Sequence, residues 1–282
     1  MPARTLYAAQ SCTITPYAGG AKNFPVQSAT CETTVPIEDI SILGKLGSAG
    51  RFQKEVATCK SDIKIYLGND SGDANAVLGS FLSVLTGEAL AGTVSTISVA
   101  PNGFTMSGIV SNIGIDMSKG NFAMLDLSFV GVGEPDYANV PTTLGGAGTQ
   151  PASAVAIVPI TTGVKIYNLG ASSFNNTCPS SVKFSLDIPN EVISCLGGKI
   201  SGAQAVVAAD NIQVAKPPFK ATISVEGTSA ESSKKIVFGE VNDVITVVLN
   251  DAQTTSKSFN QAAGNVGANY SFTVEGTDVI LS

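Results

Sequence analysis

The 282-residue chain contains no histidine, so neither a Ser-His-Asp nor a Cys-His nucleophilic site can be built from it. Carboxylates remain, and Glu38 beside Asp39, or Glu240 with Asp243, are the pairs whose spacing could set one acid against one base. Glu38 has a counterpart in Glu191, and each follows a proline beside an apolar strand pattern. That placement reads as a repeated turn or an inter-subunit contact before it reads as catalysis. Five cysteines, Cys12, Cys31, Cys59, Cys178 and Cys195, are an odd number without CxxC or Cys/His spacing, which argues against a thiolate metal site. They read as small apolar or surface thiols, with disulfides inside or between subunits as the alternative and their pairing open. The glycines of LGGAG and LGGKISG lack the GxxxxGK[ST] spacing of a phosphate loop. Lys234 and Lys235 are offset by Glu231 and Glu240 and read as a solvated loop. No catalytic inventory, metal or cofactor is expected.

The elements that would position such residues can be read from composition. Only 13% of residues are charged, the net charge is −6, glycine reaches 29 and tryptophan is absent. Abundant Ala, Val, Ile, Ser and Thr suit strands and turns better than long helices. The acidic balance argues against gripping nucleic-acid phosphates, which needs clustered Lys and Arg. No apolar run reaches 18 residues and MPARTLYAAQ has no apolar core of a signal peptide, so neither a membrane span nor secretion is expected, and synthesis in a cytoplasm is.

The sequence repeats itself. TVPIEDISILGKLGSA, from Thr34, aligns with DIPNEVISCLGGKISGA, from Asp187, and six positions are identical. They are Pro36, Glu38, Ile40, Ser41, Leu43 and Gly44 against Pro189, Glu191, Ile193, Ser194, Leu196 and Gly197. Weaker echoes follow in order: CKSDIKIYLG with FKATISVEG, Asn112 and Ser118-Lys119 with Asn250 and Ser256-Lys257, and LSFVGVG with FTVEG. NVPTTLGGAGTQPASA between them has no periodicity and reads as a linker able to span roughly 50 Å when extended. The expected organisation is a β domain over residues 1–138, a linker over 139–154 and a second copy over 155–282.

Period-2 alternation predicts strands with one buried face. The faces are Ala221, Ile223 and Val225; Tyr270, Phe272 and Val274; and Ala123, Leu125, Leu127 and Phe129. DANAVLGSFLSVLTG instead spaces Val77, Leu78, Phe81, Leu82 and Leu85 as a helix, with Asp73 as its first cap and Gly87 as its end. The matching stretch of the second half, ESSKKIVFGEV, is shorter and more polar, so a helix there is reduced or replaced.

A duplicated β-rich domain with one amphipathic helix, an acidic balance and PxExISxLG twice resembles the tail tube proteins of tailed bacteriophages. The resemblance rests on PIEDISILGKLGS and the strand pair from Met106 to Val132. It implies a mainly β fold of two tandem homologous sandwich or barrel domains, the first flanked by an amphipathic helix. It also implies a virion protein, assembled in the host cytoplasm, whose rings normally hold six domains. Two domains per chain would give trimeric rings with pseudo-sixfold symmetry, stacked into a conduit for DNA ejection. Its partners would be itself, sheath, hub, terminator or tape measure proteins, and DNA in passage through an acidic lumen without specific binding. The loops between Ile42 and Lys54 and between Cys195 and Asp210 would carry the stacking contacts. A trimeric tail hub or baseplate protein is the near alternative. A carbohydrate-binding β-sandwich would present exposed Trp and Tyr, and a carboxylate-dependent hydrolase would use the pairs named above.

Overall fold

The alternating segments are strands. A computed structural model describes residues 11–44, 46–47, 50–53, 56–66, 78–100, 103–118, 121, 124–137, 164–168, 174–175, 179–195, 208–214, 219–227, 233–238, 245–261 and 269–282. The first half comprises β1 (Ser11–Thr15), β2 (Lys22–Thr34), β3 (Ile37–Ile40), β4 (Gly50–Gln53), β5 (Thr58–Tyr66), α1 (Leu78–Ala91), β6 (Ser95–Ala100), β7 (Thr105–Ser118) and β8 (Met124–Val132). The second comprises β9 (Val164–Asn168), β10 (Phe174–Asn175), β11 (Pro179–Asp187), β12 (Asn190–Cys195), β13 (Ala208–Val214) and β14 (Lys220–Gly227). It continues with β15 (Ser233–Phe238), β16 (Ile245–Leu249), β17 (Gln253–Asn260), β18 (Asn269–Gly276) and β19 (Val279–Leu281).

In the first half the neighbours run β7-β6-β1-β2-β5-β8, and β8 pairs again with β7, closing an antiparallel barrel. β7 is long enough to serve two partners on one edge, and β2 runs on past its partner β1. β2 gives Lys22–Pro25 to β1 before continuing past it beside β5. β7 gives its first residues to β6, and from Asn112 onward the same edge pairs with β11. The barrel sheet therefore runs directly into the second half, where the order is β11-β14-β18-β17. A separate sheet, β10-β9-β15-β16-β19, and two hairpins, β3-β4 and β12-β13, complete the described strands.

Two register irregularities of the first half have counterparts in the second, which carries two more, in β12–β13 and β9–β15. β2 bulges between Val26 and Ser28 opposite β5, and β11 bulges between Pro179 and Ser181 opposite β14. β7 bulges between Val110 and Asn112 opposite β8, and β17 bulges between Thr254 and Ser256 opposite β18. Each extra residue bends its strand and raises the local twist. In the second pair of bulges the extra residue is a hydroxyl that donates to the facing strand, Ser111 to the Ser128 carbonyl at 3.2 Å and Thr255 to the Thr273 carbonyl at 3.4 Å.

The core is one cluster shared by both halves: Ile63, Ile113, Leu125, Leu127 and Phe129 from the first, and Phe184, Ile223, Val247 and Leu249 from the second. Each such side chain contributes about 1.5–3 kcal/mol by leaving water. α1 buries Phe81, Leu82, Leu85 and Ala89 and contacts β7, β16 and β19. The C-terminal Ser282 lies so close to Gly79 that a Cβ there would stand 2.1 Å from the Ser282 carbonyl group. Gly131 is similarly required, since a Cβ would meet the Ser107 carbonyl oxygen at 2.2 Å.

Several expectations are corrected. The helix does not end at Gly87: it continues to Ala91, and Gly92, with φ of +68°, takes the left-handed position that stops it. Asp73 and Val77 lie outside the described residues, as do Ala123 and the whole 139–154 linker. In the stretch compared with the helix in the second half, a strand, β15, replaces it over Ser233–Phe238, as expected, but Lys234 and Lys235 sit in that strand and not in a loop. The alternating face of β18 is graded, with Val274 buried, Phe272 half-buried and Tyr270 exposed.

Candidate functional site

Eight strands share one uninterrupted antiparallel surface in the order β2-β5-β8-β7-β11-β14-β18-β17. Residues directly opposite one another across a ladder lie on the same face. The registers Glu32↔Lys60, Asp62↔Ser128, Ser128↔Asn112, Asn112↔Asp187 and Asp187↔Lys220 therefore carry a single polar face across the chain. The other face holds the core.

On the polar face Glu32, Asp62, Asp116, Asp126, Asp187, Glu226 and Glu275 outnumber Lys60, Lys64, Lys183 and Lys220. Three of these lysines are paired, Lys64 to Asp126 at 3.7 Å, Lys183 to Asp116 at 2.9 Å and Lys220 to Glu275 at 3.1 Å. Asp116 raises the pKa of Lys183, first by the hydrogen bond and then by its charge. Ser128 donates to Asp62 at 2.6 Å, and the Asn112 amide donates to both Ser185, at 3.3 Å, and Asp187, at 2.5 Å. The result is an acidic surface on which Lys64, Lys183 and Lys220 are held by carboxylates, with carboxylate charge left over. A cleft of about 390 Å³ lies where β7 meets β11, lined by Lys60, Asp62, Asn112, Asp187 and Pro189.

The motif residues lead away from this face. Pro36 and Pro189 mark the exits from β2 and β11, and Glu38 with Ile40, and Glu191 with Ile193, lie on β3 and β12. The repeated segment thus starts a hairpin strand and is not a turn. Glu38 and Glu191 are exposed, and Asp39 accepts from Arg51 at 2.7 Å across the hairpin. Ser41 follows β3, Ser194 lies within β12, and Gly44 has φ of +88°. Leu43 and Leu46 are wholly exposed, with Ile37, Ile40 and Ile42 also largely so. The first loop expected to stack, from Ile42 to Lys54, is the tip and returning strand of this apolar hairpin. In the second, β12 and β13 are described, while Leu196, Gly197 and the rest of the tip lie outside the described residues, as do Glu240 and Asp243.

Cys12, Cys31 and Cys59 are free thiols. Burial pushes Cys12 up to about 12 and raises Cys31 and Cys59, the latter also through the neighbouring Cys31. Cys178 lies outside the described residues, and Cys195 ends β12. Among the described residues no group of three or more His, Cys, Asp or Glu is placed to hold a metal ion, and no helix is long and apolar enough to cross a membrane.

Sequence reasoning missed Glu88. It is buried in α1, where its carboxylate accepts from the Ala18 backbone N–H at 2.6 Å and from the Ser95 hydroxyl at 2.9 Å. A lone carboxylate amid a helical apolar pattern was the available signal. No protein-family model matches the chain, and no curated protein matches its sequence.

Proposed function

We propose that the chain is a non-enzymatic structural protein of a bacteriophage virion. Three copies form a pseudo-sixfold ring, and stacked rings form the tail tube that conducts DNA. The observation that carries this reading is the recurrence of β2-β5-β8-β7 in β11-β14-β18-β17, bulge for bulge, as expected of two tandem homologous tube domains in one chain. The pairing of β1 and β6 with the first part of β7 likewise recurs in β9-β15-β16, with β17 standing for the later part of β7, and the hairpin β3-β4 recurs in β12-β13.

The acidic polar face is suited to the lumen. Like charges keep a passing duplex from sticking, whereas a basic wall would hold it through counterion release. Three chains of eight strands close to a circle about 40–50 Å across the backbone, from strand spacings of about 4.8 Å at tilts up to about 45°. The exposed apolar hairpin after β2 supplies the surface for the adjacent ring, since Leu43 and Leu46 in water are unfavourable until covered. Sheath, hub, terminator and tape measure proteins are the further partners this role requires.

Negative-stain electron microscopy of the purified protein tests the reading. Rings or tubes are the expected result, and deletion of residues 42–47 is expected to leave rings that do not stack. Dispersed monomers at high concentration, or long tubes formed without the hairpin tip, would overturn it.

A further inference from the structure

The junction between the two halves of one chain is a template for the junction between chains. β7 pairs with β11 from Asn112↔Asp187 to Ser118↔Ser181, and the bulges give each of these strands a counterpart. Val26 and Ser28 stand to β5 as Pro179 and Ser181 stand to β14, so β2 residues correspond to β11 residues 153 positions later. Val110 and Asn112 stand to β8 as Thr254 and Ser256 stand to β18, so β7 residues correspond to β17 residues 144 positions later. β11 has β7 along its second edge, but no described strand pairs with β2 there beyond Pro25, nor with β17 on the side away from β18.

The side chains report the same vacancy. Ile115 is 1% exposed beside β11, whereas Phe259, its counterpart, is 59% exposed and Tyr270, beside it at 5.3 Å between ring centroids, is also open. At the junction within the chain Phe184 of β11 stands opposite Ile115.

We infer that β17 of one chain pairs antiparallel with β2 of a second copy in the transferred register, Ser256↔Thr34, Ser258↔Glu32 and Asn260↔Thr30, with Phe259 opposite Cys31. This rests on the ring reading above and specifies its closing contact. The eight strands of the shared surface alternate in direction, so the new pair is antiparallel, as every described ladder already is. The Ile188 N–H donates to the Ser111 carbonyl at 2.9 Å beside the Asn112↔Asp187 pair, which marks that pair and every second one after it as the non-hydrogen-bonded kind, with side chains closest. The transferred bond joins the Val35 N–H to the Thr255 carbonyl. Chemically the two seams differ: Asp116–Lys183 within the chain becomes Asn260–Thr30 between chains, a neutral contact.

The pair Thr30→Cys with Asn260→Cys tests the register, because opposite residues at non-hydrogen-bonded positions meet the Cβ separation that a disulfide needs. Both residues are exposed, and Thr34→Cys with Ser256→Cys is a second pair in the same register. Thr30→Cys with Ser258→Cys reports a two-residue slip. After oxidation and non-reducing electrophoresis, both in-register pairs are expected to give covalent species ending at the trimer, absent from the unsubstituted chain and from the slipped pair. Cross-links running past three chains would uphold the register and overturn the trimer. Rings seen by microscopy with cross-linking only in the slipped pair, or in none, would overturn the register and leave the ring reading standing. Monomers without cross-links would overturn both.

Discussion

Lys183 on β11 holds Asp116 on β7 at 2.9 Å, an ion pair that crosses the seam where the barrel sheet continues into the second half. Both side chains are substantially exposed, so the pair is worth only about 0–1 kcal/mol. Strength at the seam comes from the other face, where Phe184 stands opposite Ile115 and both are buried. Urea denaturation is expected to show Phe184→Ala losing about 3–5 kcal/mol, while Lys183→Ala loses less than about 1 kcal/mol. Equal losses would place the strength of the seam in its charges.

Glu88 ties α1 to the β1–β2 connection and to β6 through Ala18 and Ser95. Glu88→Ala strands the buried Ser95 hydroxyl, and a buried donor left unpaired costs about 1–3 kcal/mol. Glu88→Gln keeps an acceptor and is expected to lose less. Thermal unfolding of the two variants checks the order, and an unaffected Glu88→Ala would contradict it.

Cys12 is buried in the barrel, and burial raises its thiol from 9.0 to about 12. In the unfolded chain the thiol ionises first, so its contribution to stability is intact below pH 9 and is lost as pH climbs from about 9 toward 12. Thiolate-specific alkylation at pH 8 is expected to spare Cys12 in the native protein and to label it after denaturation. Native labelling as fast as that of the unfolded chain would contradict the burial.

Asp251 accepts from the Thr277 hydroxyl and from the Asp278 and Thr277 backbone N–H groups, in that order of effect, and its carboxyl falls from 3.8 to about 2. A lowered pKa gives stability that is complete above about pH 4 and lost as pH drops toward 2. The connections β16–β17 and β18–β19 are therefore expected to loosen in that window. Asp251→Asn is expected to lower the amide exchange protection of Thr277 and Asp278 at pH 6 and to remove its decline between pH 4 and 2.

Much of the fold was legible because period-2 patterning survives in single strands: Ile223 and Val225, or Leu127 and Phe129, report their buried face without knowing their neighbours. The PxExIS segment was legible as a repeat for the same local reason. Its role was less so, since a proline followed by a strand and a proline within a turn look alike until the partners Phe52 and Gln213 are seen opposite Glu38 and Glu191. For the weaker echoes, matching letters set Asn112 against Asn250, whereas the place of Asn112 after its bulge beside β8 is the place of Ser256 after its bulge beside β18. The polar face could not be read at all: it is assembled from eight strands far apart in sequence, and only the ladder registers put Asp62, Asn112 and Asp187 side by side.

The number of chains in one ring decides most directly whether two tube domains share each chain. Native mass spectrometry of isolated rings, with electron microscopy of the same sample, is expected to find three chains beneath a sixfold outline. Six chains per ring, or a threefold outline without sixfold modulation, would contradict it.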